Sequence, residues 1–142
     1  MTLWDLENQT IKQQLDCNEL LHSQTGQKPA CKEIYQFEFN NDSNQLLVNL
    51  YKSKYLLLFK YSPADNQFTF VTALDLNVAL IDYFLRLFDN FYLFIYENKF
   101  EIKSIVHDQV SDSGKDKNIL AFESYLNANI NLTSKIFLIS KL

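Results

Sequence analysis

The chain has 142 residues, 47% hydrophobic and 15% aromatic, with a formal net charge of −4 and a pI near 5.1. That length suits one domain with a working core, and the 12 Phe and 8 Tyr favour strands over helices. The acidic balance argues against a stand-alone nucleic-acid binder, because affinity for phosphate backbones comes largely from Lys and Arg.

Thr2–Leu6 and Ile11–Asp16 read as two strands, with Trp4-Asp5 ending the first and a polar turn following. The long link from Cys17 to Lys32 then crosses to a new unit. Period-2 alternation is strong from Glu33 onward: Tyr35, Phe37 and Phe39 point one way, Gln36 and Glu38 the other. After the turn at Asn40–Asn44, Gln45–Tyr51 is the next strand. Lys52-Ser53 leads tightly into Tyr55–Tyr61, where Leu56, Leu57, Leu58 and Phe59 are apolar on both faces, as expected of an interior strand. Pro63–Asn66 is a turn and Phe68–Leu76 an outer strand. These four strands form one antiparallel unit.

The pattern restarts with Val78–Phe88, Phe91–Tyr96 and Phe100–Val106, joined at Asp89-Asn90 and Glu97-Asn98. Val78–Tyr96 is apolar enough to suggest a membrane span. Asp82, Arg86 and Asp89 interrupt it, at about 2.5–3.5 kcal/mol each near a bilayer centre, so two buried strands explain it better. Beyond Val106, His107–Asn118 is polar and reads as a loop. Ile119, Phe122 and Leu126 make the stripe of a short helix capped by Asn118.

Only 2 Gly are present, so Asn is expected to take over much of the turn duty. The rhythm is that of an all-β, WD-repeat β-propeller fragment, with about two and a half blades over residues 1–106. A polar loop, short carboxy-terminal helix and tail follow over 107–142. On this reading the chain opens in the middle of a repeat and is the carboxy-terminal part of a larger propeller, since a blade cannot bury its faces alone.

No catalytic constellation emerges. His22 and His107 are isolated and expected in loops. Cys17 and Cys31 have no metal-ligand spacing and read as buried free thiols in a reducing compartment. Gly26 and Gly114 cannot build a phosphate or S-adenosylmethionine loop. The sequon matches at Asn8, Asn41 and Asn131 are expected by chance in an Asn-rich chain. Lys52, Lys54, Lys99 and Lys103 flank turns and read as solubilising. Arg86, inside an apolar strand, needs a partner if buried. No catalytic, cofactor-binding or metal-binding residue is assigned.

The ordered series Leu3-Trp-Asp-Leu6, Ile11–Cys17, Gln27-Lys-Pro-Ala30, Ile34–Phe39, Leu46–Tyr51 and Tyr55–Tyr61 resembles the carboxy-terminal half of one particular family. It is the WD-repeat, non-catalytic subunit of the tRNA (guanine-N7) methyltransferase, and the resemblance runs from about Leu3 to Ile105. It implies a nuclear propeller, not itself an enzyme, that binds and stabilises a catalytic methyltransferase subunit as a heterodimer. Contact with tRNA would be indirect, through the complex, with no cofactor and no membrane. The family's main partner-contacting basic residue lies upstream of the matched segment and is carried onto no position here. Sparse glycine and the lack of Gly-His pairs depart from ordinary WD repeats. Two other readings stay open: a generic interaction propeller, and a small β-barrel or sandwich binding an apolar ligand.

Overall fold

The computed structural model describes residues 1–28, 33–40, 42, 44–78, 80–88, 90–96, 99–106 and 109–112. Ten strands and one helix occur among them, in three antiparallel sheets. The first sheet is a hairpin of β1 (Thr2–Asp5) and β2 (Thr10–Gln14). Its turn is built by Asp5, whose carboxylate accepts from the backbone N–H groups of Glu7 and Asn8 and from Asn8 Nδ2. The Asn8 contacts hold the Asp5 carboxyl below its usual pKa range. The turn expected after Trp4-Asp5 is therefore present.

The second sheet runs in sequence order through β3 (Ile34–Phe39), β4 (Gln45–Leu50), β5 (Tyr55–Ser62) and β6 (Gln67–Asp75). β5 is the interior strand that its two-sided apolar sequence required, with Leu56 through Phe59 fully buried. Asn66 and Asn77 adopt positive φ at 54° and 56°, so asparagine does carry turns that glycine would otherwise occupy. Gln9 and Lys52 share that conformation.

The third sheet holds β7 (Tyr83–Phe88), β8 (Phe91–Tyr96), β9 (Lys99–Val106) and β10 (Gln109–Asp112), again in consecutive order. β10 replaces the start of the loop expected from His107, so this sheet has four strands rather than three. Its Gln-Val-Ser-Asp sequence has one apolar residue, too weak a pattern to announce an edge strand. Val78–Phe88 is not one strand either. Its first part crosses between sheets, where Ile81 N–H donates to the Ser53 carbonyl at 3.2 Å and Asp82 N–H to that of Ile95 at 3.0 Å. The proposed helix over Ile119–Leu126 lies outside the described residues.

The link after β2 contains a helix, α1 (Cys17–Thr25), that the strand rhythm did not anticipate. The Asp16 side chain caps it by accepting from Asn18 and Glu19 N–H. Gly26, at φ 71°, ends it with a bond from its N–H to the His22 carbonyl. Cys17 and Leu21 are buried against Leu46, Val48, Leu50, Leu57 and Phe59, on one face of the second sheet. The opposite face, with Leu47, Leu56, Leu58 and Leu74, packs on Phe84, Tyr92, Phe94 and Ile105 of the third sheet. The molecule is thus a stack: hairpin and helix, then four strands, then four strands.

Candidate interaction surface

Successive sheets stack strand over corresponding strand. β7 lies against β3 and β10 against β6, so first strand meets first and fourth meets fourth. β2 also lies against β6, which puts the first hairpin in the third and fourth places of a sheet. Among the described residues no strand holds the first and second places, and α1 covers the β4 face there, where Leu46, Val48 and Leu50 are fully buried. A groove of about 700 Å³ runs there, with Leu3 and Trp4 on one side and Tyr35, Phe37, Phe39 and Leu46 on the other. Trp4, Tyr35 and Phe37 are 58%, 51% and 56% exposed. At the neighbouring sheet–sheet interface the aromatic residues Phe84 and Phe94 are fully buried. The exposed rings cluster on β3: Tyr35 meets Tyr51 at 5.7 Å between centroids and Phe37 meets Phe39 at 6.1 Å.

Two free sheet edges are guarded by glutamine amides. Gln36 Nε2 donates to the Phe84 carbonyl and its Oε1 accepts from Phe84 N–H at 3.0 Å, occupying the edge of β7. Gln13 treats Phe68 on β6 in the same way, at 2.6 and 2.9 Å. Gln24, on α1, accepts from Ala73 N–H further along β6. The Gln36 and Gln13 amides each imitate a strand neighbour, satisfying backbone groups that would otherwise template association, whereas the Gln24 amide donates to the Thr72 hydroxyl. No such amide covers β1 among the described residues.

A polar cluster sits between β3 and the third sheet. Burial lifts the Glu38 carboxyl above its usual range, against the pull of the Arg86 guanidinium and a hydrogen bond from Gln36. Burial likewise lifts the Tyr92 hydroxyl, with Arg86 opposing and Glu38 reinforcing. Arg86 does have the charged neighbour its position demanded, yet its Nη1 is buried without a hydrogen-bond partner among the described residues. Because the fold favours neutral Glu38, this group's stabilisation is fully present below the ordinary carboxyl value of about 4.5. It is lost as pH rises through the raised folded value. Urea midpoints should therefore fall more for the wild type than for Glu38→Gln between about pH 4 and about pH 7. Equal slopes would contradict this account.

The remaining candidate residues do not converge. His22 is exposed on α1, not in a loop, because Asp16 and Gly26 define a helix around it. His107, Cys31 and Gly114 lie outside the described residues. Cys17 is a buried free thiol whose pKa burial raises. Lys52 is exposed over the Tyr51 ring, and Lys54 pairs with Asp75 at 2.7 Å. Lys99 is exposed, but Lys103 is not a turn lysine: it lies within β9, buried, and bridges to Glu101 at 2.8 Å. Among the described residues no group of His, Cys, Asp and Glu could hold a metal ion, and no helix is long and apolar enough to cross a membrane. The groove and the glutamine clamps were missed by sequence reasoning, since Gln36 and Gln13 reach partners 48 and 55 residues away. Comparison with known proteins finds no matching family model, curated protein or solved structure.

Proposed function

We propose that the chain is part of a WD-repeat-type β-propeller and works as a non-catalytic scaffold, binding and stabilising a tRNA (guanine-N7) methyltransferase subunit in the nucleus. The observation that carries the scaffold reading is the stack itself. Two four-stranded meanders in consecutive order lie face to face, with the Trp4-Asp5 hairpin ahead of them. Such repetition gives broad surfaces and free ends suited to holding other proteins. The methyltransferase as partner rests on the resemblance carried by Leu3–Leu6, Ile11–Cys17 and the strands to Tyr61. Contact with tRNA would run through the complex, consistent with the net charge of −4.

Affinity purification of the tagged full chain from its native cells tests this. A Rossmann-type methyltransferase should co-purify stoichiometrically, and the complex should form N7-methylguanosine in tRNA. Purification with other proteins and no methyltransferase would favour a general interaction adaptor and overturn the specific assignment.

A further inference from the structure

We draw no further inference here: the strongest candidate, the apolar outer face of the third sheet around Leu93, Ile95, Phe100 and Ile102, carries nothing because nothing among the described residues shows what covers it.

Discussion

Phe94→Ala is expected to destabilise the chain by about 3–5 kcal/mol, a large share of the about 5–15 kcal/mol that holds an ordinary domain folded. Phe94 is fully buried on the β8 face that meets the second sheet. It stacks on Phe84 at 6.0 Å with an interplanar angle of 18°, and its ring lies 6.4 Å from that of Tyr92. Removing the ring takes away its own transfer free energy and leaves a cavity between two sheets whose backbones are fixed by their ladders. Phe37→Ala removes the same ring from an exposed position and should stay within about 0.5 kcal/mol of wild type. Urea denaturation of both variants, followed by far-UV circular dichroism, makes the comparison. Similar costs at the two positions would mean that the interface between the second and third sheets is not where the stability resides.

How much of this was legible in the sequence depends on where each element's information lies. β5 was readable because Leu56–Phe59 is apolar on both faces, a pattern that only a covered interior strand sustains. β8 was readable to its last residue because the apolar run Phe91–Tyr96 is bounded in the sequence by the polar pairs Asp89-Asn90 and Glu97-Asn98. α1 was missed although its signals are local: Asp16 caps the start, Glu19 stands three positions later, and Gly26 closes the end. The strand rhythm on both sides outweighed them, and only Cys17 and Leu21 on its surface are buried. β10 and the crossing segment before β7 failed for opposite reasons. The first is too polar to show a period, the second too apolar to show a boundary.

The groove is a different kind of omission. Trp4 and Phe37 belong to strands that were correctly anticipated, but nothing local says that their rings line a groove. That depends on β2 lying over β6, a relation between segments far apart in the chain. Arg86 was flagged as needing a partner, and Glu38 supplies the charge across two sheets. Its identity came only with the stacking. Sequence periodicity specifies which face of a strand is apolar; the stacking order decides whether that face meets a sheet, a helix or solvent.

Gln36→Ala should cost about 2–4 kcal/mol, far more than a half-buried polar side chain on an edge strand ordinarily would. The amide makes two bonds to one residue, accepting from Phe84 N–H and donating to the Phe84 carbonyl. Phe84 is fully buried, so deletion leaves a donor and an acceptor without partners, each at about 1–3 kcal/mol. The same change opens the edge of β7, and the variant should also self-associate more readily. Gln36→Glu separates the two contributions, since it retains an acceptor for Phe84 N–H and loses the donor to the carbonyl. It also brings a second carboxylate beside Glu38, adding repulsion that falls as pH drops. Chemical denaturation and light scattering on both variants provide the test. A loss below about 0.5 kcal/mol for Gln36→Ala, within the range of ordinary surface changes, would mean that water replaces the amide and that β7 is not guarded by it.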